Sequence, residues 1–364
     1  MIRVLHSVSS MDRAGIETML MNYYRHIDRR RVQFDFLANK PSCGAYEPEI
    51  RQLGGRVFHL PGFGRPAAQL SAMRRVFREH PEYTIVEGHN GMLMAFALGA
   101  AKAAGIPVRI AHAHATAIPV DVHTKLKRPL RPLVGALATD HWACGDTAGA
   151  FYFSRWAQGE RIIVRNAIER ERFAYDPAAR LRLRERLGLC GCLVVGHVGR
   201  MSREKNHERL LSFFGQILCA EPRARLVLVG DGALRSALAE QARPLGDAVI
   251  FAGEQADTAP WYSLFDVLVM PSLTEGFPVV GVEAQSSGLP CLFSAGIPQE
   301  TRLTPNVRFL SLGESDARWA CEALALGRMP RETQPITGYD IAEEAPRLER
   351  LYLSLAEKAR RGKR

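Results

Sequence analysis

Short apolar strands and helical stretches alternate along this chain of 364 residues, and the alternation runs twice. The first round starts with a strand at 2–9, followed by a turn and a helix from about 16 to 26. Parallel strands need a long crossover, usually a helix, so repeated strand–helix–strand order predicts a parallel, doubly wound sheet. We therefore expect an α/β fold with two Rossmann-like doubly wound domains facing a cleft, the usual place for a ligand.

The strand-like runs also set the domain boundaries. In the first round they lie at 2–9, 32–38, 56–60, 84–87, 108–112 and 141–144, with helical stretches near 16–26, 46–53, 66–80, 91–104, 123–138 and 146–153. In the second round they lie at 193–198, 225–230, 248–252, 267–270, 290–294 and 307–312. The predicted domains are 1–170 and 188–338, with a charged link at 169–187 and a C-terminal helix and basic tail at 339–364.

The composition is that of an ordinary globular protein, with 47% hydrophobic and 24% charged residues. No apolar run reaches the roughly 18 residues that a spanning helix needs, and the first residues lack the cleavage pattern of a signal peptide. The seven cysteines are scattered, and Cys190-Gly-Cys192 has no second pair that would complete a metal site. We therefore expect reduced thiols and a cytoplasmic protein.

The formal net charge of +10 suits three kinds of partner: nucleic acid, an anionic membrane or a phosphate-bearing substrate. One basic segment, with interleaved leucines, carries Lys125, Lys127, Arg128 and Arg131. Each cation near an anionic leaflet contributes about 1 kcal/mol, so this segment would give peripheral contact with the inner face of the cell membrane but no anchoring. A solvated helix start is the alternative interpretation of the same residues.

The stretch 267–288 concentrates polar groups where a strand meets a helix. After the strand 267–270 comes a turn with Glu275, then a helix that Pro278 can open at its first position, with Glu283 eight residues after Glu275. Carboxylates accept hydrogen bonds from paired hydroxyls, such as a ribose diol or the hydroxyls of a sugar, and a helix N-terminus attracts phosphate. The pattern favours a nucleotide-sugar pocket, although solvated acids at a helix start would look similar.

A second polar turn, 199–206, follows the first strand of the second domain. It brings Arg200 and Lys205 next to another helix N-terminus, which Asn206 could cap. A guanidinium fork and an ammonium point charge at this place could grip a diphosphate. A surface loop with ordinary basic residues is the alternative.

The two turns together resemble the signature of the retaining glycosyltransferases of family 4, which have the two-domain GT-B fold. The resemblance implies that Glu283 holds the ribose hydroxyls and that Glu275 meets the transferred sugar. It further implies that Arg200 and Lys205 stabilise the departing nucleoside diphosphate. The backbone that contacts sugar and phosphate would be that of Gly276, Phe277, Pro278 and Val279. In the resembled fold the first domain receives the acceptor, the second binds the donor, and the last helix crosses back to the first domain.

Three further turns resemble parts of the family's donor site. Ala14-Gly15 stands where the family has two glycines that let the backbone approach the diphosphate, and alanine still admits that approach unless the position needs a positive φ. The other two turns, which also fit plain turn chemistry, carry Gly230, Asp231 and Gly232, and Gly253 and Glu254.

His112 and His114 end the fifth strand and share one of its faces, where a metal could bridge them. The sequence offers no evident third ligand and no Asp-x-Asp, so we predict no metal. The resemblance implies a histidine near the reacting sugar and acceptor, with His114 favoured over His112. A hydrogen-bonded histidine at a strand end is the alternative.

The sequence thus predicts a retaining, metal-independent glycosyltransferase without a cofactor. It would move a sugar from a nucleoside-diphosphate donor, with UDP favoured, to a hydroxyl of a saccharide or lipid-linked acceptor. The sequence of residues 278–290 resembles that of family members that build capsule, exopolysaccharide or lipopolysaccharide. A nucleotide-sugar epimerase of the same fold is the main alternative. A basic nucleic-acid-binding protein is a weaker one, because no recognised module supports it.

Overall fold

The computed structural model describes residues 1–116, 129–153 and 161–362. They form two compact units, one of Met1–Ala167 with Gly338–Arg364 and the other of Ile168–Thr337. Each unit contains one sheet whose strands pair in parallel. Both units are therefore doubly wound α/β units of the Rossmann type, and this confirms the fold class that the alternation predicted.

The first unit has a seven-stranded sheet with the order β3-β2-β1-β4-β5-β6-β7. Its strands are β1 (Ile2–Val8), β2 (Val32–Ala38), β3 (Val57–His59), β4 (Ile85–Gly88), β5 (Val108–Ala113), β6 (Asp140–Ala143) and β7 (Ile162–Ile163). Its helices are α1 (Gly15–His26), α2 (Glu47–Gln52), α3 (Pro66–Glu79), α4 (Met94–Ala103), α5 (Leu130–Leu137), α6 (Asp146–Phe153) and the C-terminal helix, which is numbered last. The first part of the predicted helix at 91–104 is a 3₁₀ turn, Gly91–Leu93.

The second unit has a six-stranded sheet with the order β10-β9-β8-β11-β12-β13. Its strands are β8 (Val194–Val198), β9 (Arg225–Val229), β10 (Val249–Gly253), β11 (Val267–Met270), β12 (Cys291–Ser294) and β13 (Val307–Leu310). Its helices are α7 (Pro177–Leu187), α8 (His207–Ala220), α9 (Arg235–Ala242), α10 (Ala259–Leu264), α11 (Val279–Ser286) and α12 (Asp316–Gly327).

The C-terminal helix α13 (Ile341–Arg361) belongs to the core of the first unit. Its buried apolar residues recur every three or four positions, so they form one face of the helix. That face packs with β1, β2 and α1 through Ile341, Ala345, Leu348, Tyr352 and Ala356. The last residues of the chain therefore complete the core that its first residues begin.

In each sheet the strand order reverses once at a point that parallel α/β proteins use for ligands. The reversal lies between β1 and β4 in the first unit and between β8 and β11 in the second. Crossovers leave such a point in opposite directions, which opens a crevice at the carboxyl ends of the two strands. Both candidate sites described below lie at these points.

The charged stretch that the sequence suggested as a link between domains, 169–187, is instead part of the second unit. Its helix α7 packs against α10, and it supplies Arg180 and Arg184 to the carboxylate of Asp266, at 2.5 and 2.7 Å. The backbone N–H of Val194 also donates to that carboxylate, at 2.7 Å. This ion-pair network ties the helix to the start of β8 and to the residue that precedes β11.

We expect Asp266→Ala to lower the free energy of unfolding by about 2 kcal/mol, because it leaves two largely buried guanidinium groups without their carboxylate. A matched control is Asp257→Ala, which removes the partner of Arg172 from an ion pair exposed on both sides. That change should cost less than about 1 kcal/mol. Urea unfolding measures both values, and equal losses in the two variants would contradict this role for Asp266.

Candidate active site

Two turns meet at the point where the strand order of the second unit reverses. The turn 199–206 follows β8 and the turn 271–278 follows β11. The amide of Asn206 donates to the carbonyl of Pro271 at 3.0 Å, and the N–H of Leu273 donates to the carbonyl of Glu204 at 2.8 Å. Asn206 occupies the capping position of α8, but its side chain does not cap the helix as predicted, because it reaches the other turn instead.

The two turns also share an ion pair. The Lys205 ammonium donates to Oε1 of Glu275 at 2.6 Å, and the side chains are 19% and 14% exposed. A cation and a carboxylate are thus held together at the rim of the crevice, each with some surface left for a ligand. The ammonium can neutralise a phosphate, and the carboxylate can accept from a hydroxyl. The sequence named both residues, and the structure brings them into contact.

Glycines let a third turn approach the first. A Cβ on Gly230 would lie 2.2 Å from the carbonyl oxygen of Gly199, and a Cβ on Gly232 would lie 2.5 Å from that of Met201. The N–H of Met201 donates to the carbonyl of Asp231 at 2.9 Å. These glycines therefore have a packing reason to be there, and they fix the backbone beside Arg200, whose side chain is exposed.

The turn after β10 joins the same edge of the sheet. The N–H of Gly230 donates to the carbonyl of Gly253 at 2.8 Å, and Glu254 follows with an exposed side chain. Gly253 has a φ of +71°, which favours glycine at this bend. The predicted residues after β8, β9 and β10 therefore line one continuous edge of the second unit.

Glu283 lies on α11, where Phe277 and Val279 at the start of the helix are buried and Gly276 is half-buried. Pro278 is the N-cap residue, one position before the predicted one. The Tyr262 hydroxyl donates to Oε2 of Glu283 at 2.5 Å. Burial raises the pKa of Glu283 to about 7, although the hydrogen bond from Tyr262 opposes the shift. One carboxylate oxygen is thus committed to the protein, and the other can serve a ligand.

The raised pKa of Glu283 predicts a stability that depends on pH. Because the folded state holds the proton more tightly, the stabilisation is complete below the unfolded value of 4.5 and is lost as the pH rises through about 7. Relative to Glu283→Gln, the wild type should lose on the order of 3 kcal/mol between about pH 4.5 and pH 8. Urea unfolding at several pH values tests this, and a difference that does not change with pH would contradict it.

In the first unit a buried carboxylate connects three elements at the point where the strand order reverses. Glu87 on β4 receives a hydrogen bond from Nδ1 of His112 on β5 at 2.7 Å and one from the Tyr352 hydroxyl of α13 at 2.5 Å. Burial raises the pKa of Glu87 and lowers that of His112 to about 3. His112 is therefore neutral at pH 7, and its tautomer is fixed with the proton on Nδ1.

A chain of histidines runs beside this carboxylate. Nδ1 of His6 lies 3.1 Å from Nε2 of His89, and Nδ1 of His89 lies 2.9 Å from Nε2 of His114. The rings of His112 and His114 stack with centroids 4.1 Å apart, which confirms that the two share one face. The structure thus adds His6 and His89 to the two histidines that the sequence singled out.

A pocket of about 250 Å³ opens next to His89 and His114. The first turn of α1 lines its other side through Ile16 and Glu17. The preceding Ala14 is extended, with a φ of −129°, so alanine causes no strain where the resembled family has glycine. A Cβ on Gly15 would have no atom within 4 Å, so packing alone does not require glycine there.

Two protein families match the chain, one over most of each unit. Residues 14–177 match the family described as "Glycosyl transferase 4-like domain", and residues 192–326 match "Glycosyl transferases group 1". EpsF of Bacillus subtilis (strain 168), provisionally named a glycosyltransferase, is 38% identical to this chain. The alignment covers 98% of this chain and 97% of EpsF. The chain belongs to the group 1, family 4-like glycosyltransferases.

Solved structures agree with the fold of this glycosyltransferase. The Anabaena protein Alr3699/HepE, solved with UDP and glucose, superimposes with a TM-score of 0.79 at 20% identity, covering 97% of this chain and 100% of that one. WaaG, a glycosyltransferase involved in lipopolysaccharide biosynthesis, superimposes with a TM-score of 0.68 at 19% identity, covering 98% of each chain. Both likenesses concern the fold, which is that of GT-B enzymes.

The predicted site residues of the glycosyltransferase fall into two sets. His112, His114, Ala14 and Gly15 lie in the first unit, and the remaining predicted residues lie in the second. Sequence reasoning missed Tyr262, Glu87, His6, His89 and Tyr352. A signal existed for Glu87 and His89, because two titratable side chains stand at the end of the predicted strand 84–87. Nothing local pointed to Tyr262 or Tyr352, whose partners are 21 and 265 residues away.

In the part of the chain that the structure describes, no helix has both the length and the apolar character needed to cross a membrane. None of the seven cysteines, all of which lie within that part, forms a disulfide.

Proposed function

We propose that the chain is a retaining glycosyltransferase that takes a sugar from a nucleoside-diphosphate sugar, most naturally a UDP-sugar. The acceptor is a hydroxyl of a saccharide or lipid-linked saccharide in the synthesis of a surface glycan. The observation that carries the proposal is the Lys205–Glu275 pair, held where the sheet order reverses and next to the helix that bears Glu283. HepE, solved with UDP and glucose, and WaaG, named for lipopolysaccharide biosynthesis, support the donor and the pathway class.

The proposed roles follow from charge and hydrogen-bonding capacity. Arg200 and Lys205 neutralise the diphosphate as it leaves, together with the N–H groups at the start of α11. The free oxygen of Glu283 accepts from the ribose hydroxyls, and Glu275 accepts from the sugar. Because these cations and N–H groups supply the positive charge, the transfer step needs no metal ion and no cofactor.

Retention is proposed to arise from transfer on one face of the sugar. The bond to the leaving phosphate breaks as the acceptor oxygen forms its bond on the same side, and the departing phosphate oxygen takes the acceptor's proton. No dedicated nucleophile is then required. The anomeric configuration of the product, determined by NMR, tests retention. A sugar–enzyme adduct on Glu275, detected by intact mass with a slow donor analogue, would overturn the one-face mechanism.

His114, with the His112–Glu87 pair behind it, is proposed to contact the acceptor or the transferred sugar at the pocket in the first unit.

Release of UDP or GDP from a panel of nucleotide sugars, with saccharide and lipid-linked acceptors, tests the overall function. Transfer that needs an acceptor supports the proposal. Donor consumed without any acceptor would favour an epimerase.

We also propose a cytoplasmic enzyme in peripheral contact with anionic lipid. Lys125, Lys127 and Arg128 lie outside the described residues. Arg131 lies in the first turn of α5, with its guanidinium 4.7 Å from the centre of the Phe151 ring. At about 1 kcal/mol for each cation, reversing the first three charges should weaken sedimentation with anionic vesicles at least tenfold, while donor binding stays intact. Neutral vesicles are the control, and unchanged sedimentation would contradict the contact.

A further inference from the structure

Three imidazole rings converge at the carboxyl ends of β4 and β5. Each of His89, His112 and His114 offers one ring nitrogen, and these three nitrogens all lie within 4.8 Å of one another. In one well-known class of zinc site the protein supplies three histidine ligands, and a water molecule or substrate fills the fourth position. The sequence had offered two of these ligands and no third, and the fold supplies it from the end of the neighbouring strand.

We propose that His89, His112 and His114 form a zinc-binding site that is separate from the donor residues of the second unit. The nitrogens would be Nδ1 of His89 and Nε2 of the other two. With Zn–N distances of about 2.0 Å, tetrahedral ligand nitrogens stand about 3.3 Å apart. The 2.9 Å between His89 and His114 must widen by a few tenths of an ångström, and His112 must move toward them.

The hydrogen bonds behind the rings are those that a metal site needs. A zinc-bound histidine usually donates its other N–H to a carboxylate or a similar acceptor, which fixes the tautomer and the ring orientation. His112 donates from Nδ1 to Glu87 at 2.7 Å, and Nε2 of His89 faces Nδ1 of His6 at 3.1 Å. The bond to Glu87 holds the His112 ring with its coordinating nitrogen, Nε2, free of a proton. In the bond between His89 and His114 the two facing nitrogens share one proton, which zinc binding would release.

An otherwise unexplained polar atom also points to a ligand. His112 is buried, yet its Nε2 has no hydrogen-bond partner. A buried ring nitrogen without a partner loses the hydration it had in water and gains nothing in return. A zinc ion would use this lone pair directly.

A fourth ligand of the zinc can come from the 250 Å³ pocket, because His89 and His114 line it. Water or another small oxygen ligand can fill it. If the acceptor enters this pocket to reach His114, as the proposed function holds, zinc and its fourth ligand would occupy part of the space that the acceptor needs. Zinc is then an inhibitor of the transfer and not its cofactor.

The test is a titration of metal-stripped, full-length protein with Zn²⁺ alone in a calorimeter, followed by metal analysis after gel filtration. We expect one equivalent of bound zinc in the wild type and at least tenfold weaker binding in His112→Asn. Glu87→Gln removes the outer carboxylate and should weaken binding about tenfold. The matched control is His141→Asn, another buried histidine of the same unit, which should bind like the wild type.

Folded wild-type protein that takes up no zinc overturns the site, and so does equal binding by the wild type and folded His112→Asn. If that variant does not fold, Co²⁺ in the wild type decides. An intense visible spectrum typical of four-coordinate Co²⁺ supports the site, and a weak six-coordinate spectrum overturns it. These measurements use no sugar donor, so their outcome is independent of the proposed transfer reaction. Zinc inhibition of transfer that chelator reverses then tests the consequence separately.

Discussion

Lys205→Ala is expected to reduce kcat by 10²–10³-fold with a smaller change in KM. In the proposed mechanism the ammonium stabilises charge that develops on the diphosphate as the bond to the sugar breaks, and the loss of one such preorganised group typically has an effect of about this size. The turn 199–206, which carries Lys205, is held in place by three hydrogen bonds. They run from Asn206 to Pro271, from Leu273 to Glu204 and from Met201 to Asp231. A steady-state assay of nucleoside-diphosphate release measures the effect.

The matched control for that variant is Arg203→Ala. Arg203 lies in the same short 3₁₀ turn, but its side chain is exposed. Its removal changes the local charge equally and should alter kcat less than threefold. Urea unfolding excludes a general loss of structure, because breaking the largely buried ion pair with Glu275 should cost only about 2 kcal/mol, as expected for Asp266→Ala. Similar activities for Lys205→Ala and Arg203→Ala would contradict the assigned role.

Glu283→Ala should weaken nucleotide binding on the order of 100-fold. Hydrogen bonds to a charged acceptor contribute about 1.5–3 kcal/mol, and the carboxylate would serve two ribose hydroxyls at once. The effect should concern the nucleoside and not the sugar, so the same factor is expected with UDP and with a UDP-sugar. Calorimetry on the folded variant measures it.

Tyr262→Phe tests whether nucleotide binding depends on the ionised form of the Glu283 carboxylate. The variant keeps Glu283 but removes the hydroxyl that favours its ionised form, so the pKa of Glu283 should rise further above 7. Nucleotide binding should therefore weaken near pH 7 and recover as the pH rises toward 9, whereas Glu283→Ala should not recover. Equal pH profiles for the two variants would show that Glu283 is not the ribose acceptor.

The local pattern of apolar and polar residues predicts most of the strands and helices. The predicted β11 has the observed ends, because a short apolar run encodes a buried strand without help from distant residues. The stretch 169–187 was misassigned for the opposite reason. Its high charge and its place between the two rounds of strands suggest a link, and only the fold brings Asp266 into contact with its arginines.

The candidate site divides in the same way. Lys205 and Glu275 were predictable because each follows a strand, and neighbouring parallel strands deliver such residues to one edge. The Glu87–His112 bond depends on the adjacency of β4 and β5, and the Tyr352 bond on the return of the last helix. Neither fact is encoded near the residues concerned. The same applies to His89, which only the sheet order brings to His114.

Nucleotide binding without metal is the most direct test of the central claim. We would titrate wild-type protein and Arg200→Ala with UDP and with GDP by calorimetry, in the presence of excess chelator. The account predicts micromolar binding of one nucleotide, UDP being the expected one, and clearly weaker binding in the variant. Absence of binding by both nucleotides in folded wild-type protein would contradict the account, because the turns around Lys205, Glu275 and Glu283 would then not form a donor site.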